Sequence, residues 1–468
     1  MIFNSFQFIL IYPFLFLLYY AIPASWKTAR NVFLLVLSYA LYICWKPVYA
    51  LILLAVTLST YYTARMLKDS RHRKRVIVTG TLLSLSPLLF FKYFNFINDS
   101  IAKALMHFGI DCHLPGLNWA VPIGISFFTF QALGYLFDVY YRKIEEERNF
   151  LTYALFVSFF PSIVSGPINK ASSLIPQIRN LRPYFDYPKA VEGMKMLLWG
   201  MFMKVVVADR AGIYVNFILN HYTSYNGSTC ALAVLFYTFQ IYTDFAGYSL
   251  MAIGVGKTLG FDLSENFRRP YFSYSVTDFW RRWHISLSTW LKDYVYIPLG
   301  GSRCSKARNN FNIIVTFLVS GIWHGANWTF VVWGLLHGLA QVVEKMLGQQ
   351  KCNYGPFGKG VKILITFLFI NFTWIFFRMP TLSDAWKLTL KIFDFSQPLG
   401  LTIDIPSVSF SLFAITLLLI KDVADEFTNF RAFNSRHVAI RWGTYAIVLS
   451  SILLAGVFGA DQFIYANF

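Results

Sequence analysis

The sequence predicts an all-α polytopic membrane protein, and three observations lead there. Of its 468 residues, 56% are hydrophobic and only 14% are charged, a balance far from that of soluble domains. Uncharged or nearly uncharged stretches of roughly the 20 residues needed to cross a bilayer recur along the whole chain. Between them Lys and Arg gather in short segments, where orientation signals are expected.

Taken in order, the apolar runs cover 1–26, 31–64, 76–98, 118–137, 149–169, 211–243, 309–343, 363–377, 405–420 and 442–460. Some are long enough for two passes, so about eleven spanning or partly inserted helices are expected, with re-entrant or short helices among them. The first run carries no Lys or Arg before Lys27 and exceeds a signal-peptide core, so it reads as a retained span. Lys27 and Arg30, then Arg65, Lys68, Arg71, Arg73, Lys74 and Arg75, are expected on the cytoplasmic side, which leaves the N-terminus extracytoplasmic. Residues 95–118 lack a basic excess and are expected to face out.

The basic stretches 142–148 and 170–195 both read as cytoplasmic, although the apolar run 149–169 separates them. That run contains Pro161, Gly166 and Pro167. A re-entrant segment resolves the parity, provided its broken backbone is buried in protein. From Lys257 to Arg308 there are nine Lys or Arg against four Asp or Glu, which places this long segment in or near the cytoplasm as well.

The net charge of +18 is concentrated in these loops, so it reads as an orientation signal and no nucleic-acid partner is expected. The five cysteines, Cys44, Cys112, Cys230, Cys304 and Cys352, are scattered, odd in number and without metal-ligand spacing, so neither a disulfide framework nor a metal site is expected; no bound cofactor is expected either. GVGKT (254–258) fails as a phosphate loop because Met251 stands where its first glycine belongs. With no internal repeat and no soluble segment, one integral-membrane domain over 1–468 is expected, with core motifs in 239–343.

Three stretches carry candidate chemistry. In FQIYTDFAGYSLMAIG (239–254), Asp244 interrupts an apolar run, which costs about 2.5 to 3.5 kcal/mol on insertion scales unless the carboxylate faces a partner or a wet cavity. An arginine from the basic middle segment is the expected structural partner; Gln240 and Tyr242 would accompany Asp244 toward a substrate path. ENFRRPYFSYSVTDFWRRWHISLSTWLKDYVYIPLGGSR (265–303) mixes Arg281 and Arg282 with Trp280, Trp283 and Trp290. An interfacial aromatic belt is the bland reading; a funnel for a phosphate-bearing group beside the arginines is the functional one, with His284 as a second candidate for chemistry.

SGIWHGANW (320–328) holds Trp323, His324 and Asn327. On a helix, Ser320, His324, Asn327 and Val331 would share a face, and Gly321 with Gly325 would let another helix approach closely. A lone histidine in an apolar helix is more often a hydrogen-bonded packing residue, and His337 is read that way. Burial would hold His324 neutral and able to accept a proton, which suits activation of a hydroxyl.

The blocks DFAGYSLMAIG, GFDLSENFRRP, FWRRWHISLSTWLKDYVYIPLGGSR and SGIWHGANWTFVVWGLLHG resemble the signature blocks of the membrane-bound O-acyltransferases. They are most similar to the bacterial branch that contains the alginate O-acetyltransferase membrane subunit, the peptidoglycan O-acetyltransferase and the teichoic-acid D-alanyl transfer protein. FFKYFNF (90–96) and FIY (463–465) are similar to that branch too, whereas the final YANF departs from the aromatic-rich ending of close relatives.

The resemblance implies a helical fold around a central tunnel in a bacterial inner membrane. It implies transfer of an acyl group from a cytoplasmic thioester, acetyl-CoA or an acyl carrier protein, to a hydroxyl of a cell-surface polysaccharide or of a relay partner, here a periplasmic SGNH-type, esterase-like protein. His324 takes the catalytic position of the family and His284 that of the second histidine. On this reading His324 removes the hydroxyl proton, while His284, a nearby tyrosine or Asn327 is the candidate donor to the developing oxyanion. The rival classes are a transporter, which would show repeats and paired broken helices, and a scaffold in which the histidines are structural.

Overall fold

The computed structural model describes residues 3–44, 46–111, 115–180, 184–348, 355–394, 396, 400–402 and 404–459. The FIY (463–465) and YANF motifs, Cys112, Cys352 and Arg182 lie outside them. Among the described residues the secondary structure is helical throughout, as the run pattern requires. The chain packs as two compact units, one of Gln7–Val191 with Val255–Ser264, the other of Ile2–Phe6, Glu192–Gly254 and Glu265–Phe468.

In the first unit, α1 (Phe6–Ala21), α2 (Lys27–Ile43) and α3 (Pro47–Asp69) are followed by α4 (Arg73–Leu88), which continues through a π-helical turn, Leu89–Tyr93, into α5 (Phe94–His107). Next come α6 (Ile125–Tyr140), α7 (Phe150–Ser158), α8 (Phe160–Ile163) and α9 (Ala171–Arg179). The expected interruption in 149–169 is real, and it falls between α7 and α8 and after α8. Residues 152–169 are buried throughout, and side chains meet the freed backbone groups. Ser38 Oγ accepts from the Phe160 N–H at 3.1 Å, Gln131 Nε2 donates to the Phe156 carbonyl at 2.5 Å, and Gln131 Oε1 accepts from the Asn169 N–H at 3.0 Å. Broken backbone at apolar depth is tolerated under that condition.

The second unit holds most of α10 (Tyr187–Met201), a π-helical segment Phe202–Ala208, α11 (Asp209–Leu219) and most of α12 (Gly227–Thr258). Two seven-residue helices, α13 (Val276–Arg282) and α14 (Ile285–Leu291), precede α15 (Lys306–His324) and α16 (Trp328–Met346). The chain ends with α17 (Pro356–Arg378), the amphipathic α18 (Leu382–Ile392), α19 (Ile405–Phe427) and α20 (Val438–Ala455).

Five helical stretches among the described residues are long and apolar enough to cross a membrane by length and composition: α3, the continuous Arg73–His107, α17, α19 and α20. Their outward sides are apolar, with Leu364, Ile365 and Leu368 on α17 and Leu453 and Leu454 on α20 all more than half exposed. Such faces are stable against lipid and not against water. The runs 118–137 and 149–169, each counted from the sequence as a crossing or partial insertion, fold as the 16-residue α6 and the broken pair α7 and α8.

Candidate active site

The candidate site lies within the second unit and starts from a helix break. α15 ends at His324; Gly325 is extended, and Asn327 begins α16 by accepting from the Thr329 N–H at 3.1 Å. The single helical face expected for Ser320, His324, Asn327 and Val331 is therefore corrected: the helix stops at the histidine. Asn327 Nδ2 donates to the Pro380 carbonyl at 2.7 Å, so its amide is committed to capping and loop closure. Gly321 acts as expected, since a Cβ there would collide with the Phe330 carbonyl, and its backbone faces Gly334 across α16. Gly325 instead lies under the Phe330 ring at the break.

α15 and α16 thus form a tight hairpin with His324 at its tip, and His324 is only 1% exposed. Its ring centroid lies 5.0 Å from that of Trp323, 5.1 Å from Trp333 and 5.4 Å from Phe377. The fourth neighbour is His284, at 6.3 Å between ring centroids. Trp323 contacts both histidines, 5.0 Å from one and 5.7 Å from the other. The two histidines, forty residues apart in sequence, share one aromatic cage.

A short, heavily tied loop brings His284 there. Glu344 of α16 caps the start of α13, accepting from the Thr277 N–H at 3.0 Å and the Thr277 hydroxyl at 2.9 Å. Residues 266–268 then pair with 282–285: the Arg268 N–H donates to the Arg282 carbonyl at 2.8 Å and the Ile285 N–H to the Asn266 carbonyl at 2.9 Å. His284 itself, between α13 and α14, has φ 43° and ψ 53°, a left-handed conformation that a residue with a Cβ holds only under constraint. Its side chain is fully buried, between Phe245 at 4.7 Å and Phe267 at 6.4 Å, and Nδ1 lies 3.0 Å from Asn266 Oδ1. The ring lies outside the spanning helices, and burial lowers its pKa to about 3, so it is neutral.

His337 is the packing histidine expected from the sequence. Trp280 Nε1 donates to its Nδ1 at 3.1 Å, and its Nε2 lies 3.1 Å from Thr373 Oγ1.

The remaining sequence candidates divide. Arg281 is exposed and lines a cavity of about 550 Å³ together with Trp280, Lys292, Gln341, Lys345 and Ser320. The lining thus combines three basic side chains, Arg281, Lys292 and Lys345, with Ser320, one turn before His324 on α15, a chemistry that suits an anionic group. Arg282 does not line that cavity; it is bound to Glu426 at 2.7 Å and Asp278 at 3.0 Å, and Arg269 joins the same Glu426 at 2.7 Å. Of the two arginines expected to line a funnel for the donor, Arg281 lines the cavity and Arg282 is held in ion pairs away from it.

Asp244 is partnered by a lysine, not by an arginine as expected. Lys204, on the π-helical segment, lies 2.7 Å from Asp244 and 2.6 Å from Asp209, with all three residues buried. Tyr242 donates to Asp422 Oδ2 at 3.2 Å, and its ring centroid lies 6.3 Å from that of Trp283. Gln240 lies against the backbone of α11 at Gly212. Sequence reading missed Lys204, Asn266 and Glu426. Lys204 is legible as a lone cation within the apolar stretch 196–208, whereas nothing local marks Asn266 or Glu426.

A family model for "MBOAT, membrane-bound O-acyltransferase family" matches residues 48–382, well over half of the chain. The chain belongs to this family. It is a multi-pass membrane protein, and the MBOAT match covers both histidines, the cavity and the hairpin. Among curated relatives, the chain is 39% identical over 329 residues to the "Probable alginate O-acetylase AlgI" of Pseudomonas aeruginosa, covering 70% of this chain and 62% of that one. It is 36% identical over 405 residues to the protein of the same name from Azotobacter vinelandii, covering 85% and 79%. To the "Peptidoglycan O-acetyltransferase" of Helicobacter pylori it is 37% identical over 358 residues, covering 70% and 67%. The matched region is thus about three fifths of the length of the Pseudomonas aeruginosa relative.

Proposed function

We propose that this MBOAT protein is an O-acetyltransferase of the bacterial inner membrane, with its N-terminus extracytoplasmic, that moves an acetyl group from a cytoplasmic thioester to a hydroxyl of a cell-surface polysaccharide of the alginate or exopolysaccharide type. The observation that carries this reading is the pair His284 and His324, buried in one aromatic cage beside Trp323, with a basic-lined cavity reaching Ser320 one turn away. The names of the most similar relatives supply the acetyl group and the polymer.

In the proposed reaction the thioester of acetyl-CoA or an acyl carrier protein enters the cavity past Arg281, where its phosphates meet Arg281, Lys292 and Lys345. The apolar cage excludes water from the thioester carbonyl. His324 accepts the proton of the acceptor hydroxyl as the oxygen attacks; the C–O bond forms, the C–S bond breaks, and the proton passes to the departing thiolate. The hydroxyl belongs to the polymer or to a periplasmic SGNH-type, esterase-like relay partner. The peptidoglycan relative makes a peptidoglycan hydroxyl the second reading of the acceptor.

The test is compositional. Ester-linked acyl groups on isolated cell-surface polymers are measured in cells with and without the protein. Acetyl esters that disappear from an exopolysaccharide support the first reading, and loss confined to peptidoglycan supports the second. Loss of D-alanyl esters, or no change in any polymer, overturns both.

A further inference from the structure

Asn266 is 1% exposed and holds the strained His284 segment with two of its atoms. Its backbone carbonyl accepts from the Ile285 N–H at 2.9 Å, and its side-chain Oδ1 lies 3.3 Å from the Ser286 N–H, 2.9 Å from the Ser286 hydroxyl and 3.0 Å from His284 Nδ1. On the other side, Nδ2 donates to Ser249 Oγ at 3.0 Å. An amide oxygen and nitrogen can be exchanged without changing shape, so the neighbours must decide which is which. The Ser286 N–H decides. A backbone N–H only donates, so exchanging the two atoms would set an NH₂ group against it.

The atom beside His284 Nδ1 is therefore an oxygen, which carries no hydrogen, and Nδ1 must donate to it. A neutral imidazole carries one N–H, so the other ring nitrogen keeps its lone pair. We infer that Asn266 is a positioning residue that fixes His284 as the Nδ1-protonated tautomer and thereby makes Nε2 a hydrogen-bond acceptor in the site.

The consequence rests on the acyl-transfer reading; the tautomer does not. For the reaction, His284 cannot donate from Nε2 to an oxyanion, the role the sequence first suggested for it. It receives a hydrogen bond instead, from the acceptor hydroxyl or from the imidazolium that forms on His324. The order Asn266, His284, reacting group then repeats the logic by which a fixed oxygen orients a functional imidazole.

The experiment is nitrogen-15 NMR of the full-length protein in bilayers with labelled histidine, the His284 signals being those lost in His284→Gln. The expected result is a protonated Nδ1 and a lone-pair Nε2; the reverse assignment overturns the inference. Because this reading needs no substrate, a correct tautomer with no acyl transfer counts against the proposed function alone.

Two variants supply the kinetic arm. Asn266→Leu, isosteric but without an acceptor, is expected to lower kcat by about 10- to 100-fold, the range for groups that orient a functional imidazole. Asn266→Asp keeps the oxygen and adds a charge, so it is expected to restore most of kcat while moving the acidic limb of the pH profile upward. Equal loss in both variants with an unmoved pH profile means that Asn266 only holds the loop, and overturns the positioning role.

Discussion

Replacing Lys204 with Met tests whether Asp244 serves structure or chemistry. In the folded protein one ammonium stands 2.6 Å from Asp209 and 2.7 Å from Asp244, and all three groups are buried. At an effective dielectric constant of about 20, each contact corresponds to about 6 kcal/mol of attraction before desolvation is counted. Most of that is offset by the cost of burying the charges, so the net value is read from what each substitution leaves behind. Lys204→Met removes both attractions and leaves two carboxylates facing one another, a loss at or above the about 3 to 5 kcal/mol typical of breaking a buried pair. Asp244→Asn leaves Lys204 paired with Asp209 and costs about 1 to 3 kcal/mol. Thermal unfolding in detergent, followed by size-exclusion recovery, measures both. The expected order is wild type, then Asp244→Asn, then Lys204→Met well below, with acyl transfer per folded molecule preserved in Asp244→Asn. Equal stability of the two variants refutes the structural reading of this cluster; a stable Asp244→Asn protein without transfer returns Asp244 to the chemistry.

Further outcomes follow from the neighbouring contacts. Arg281→Ala is expected to raise the KM for the thioester donor several-fold at unchanged melting temperature. Arg282→Ala, which leaves Glu426 and Asp278 short of a partner, is expected to lower stability by about 1 to 3 kcal/mol, seen in the same unfolding assay. Gly321→Leu sets a side chain against the Phe330 carbonyl and is expected to cost about 1 to 3 kcal/mol or to abolish recovery of folded protein, whereas Gly360→Leu, with open space around it, is expected to be neutral. His284 titrates near pH 3 when folded and near about 6.5 when exposed, so the unfolded chain binds the proton first. Its contribution to stability is therefore intact above about pH 6.5 and is lost as the pH falls, by about 2 kcal/mol at pH 5; His284→Gln is expected to remove that share of the acid sensitivity in melting curves at pH 7.5 and 5.

What the sequence could show was set by range. Helical character followed from uncharged runs, because a bilayer demands consecutive apolar residues and leaves the signal local. The break within 149–169 was legible from Pro161, Gly166 and Pro167, and the helix approach at Gly321 from the absence of a side chain. The break after His324 was not foreseen, since Gly325 and Asn327 are tolerated within apolar helices, and the cap became visible only with its partners Thr329 and Pro380 in place. Partner choice failed for the same reason. Asp244 pairs with a lysine forty residues upstream, and Arg282 with a glutamate 144 residues downstream, distances over which composition carries no information. Asn266 lies inside GFDLSENFRRP, yet nothing in that stretch marks it, because its contacts depend on the conformation of His284, which only the folded loop reveals.

The proposed role of His324 is removal of the proton from the acceptor hydroxyl. It is tested most directly by His324→Ala, checked for membrane insertion and folding, in vesicles supplied with acetyl-labelled CoA and an acceptor polymer. Loss of label transfer by about 10² to 10⁴-fold, the usual contribution of a general base, is the predicted result. A folded, inserted His324→Ala protein that transfers label at the wild-type rate contradicts it.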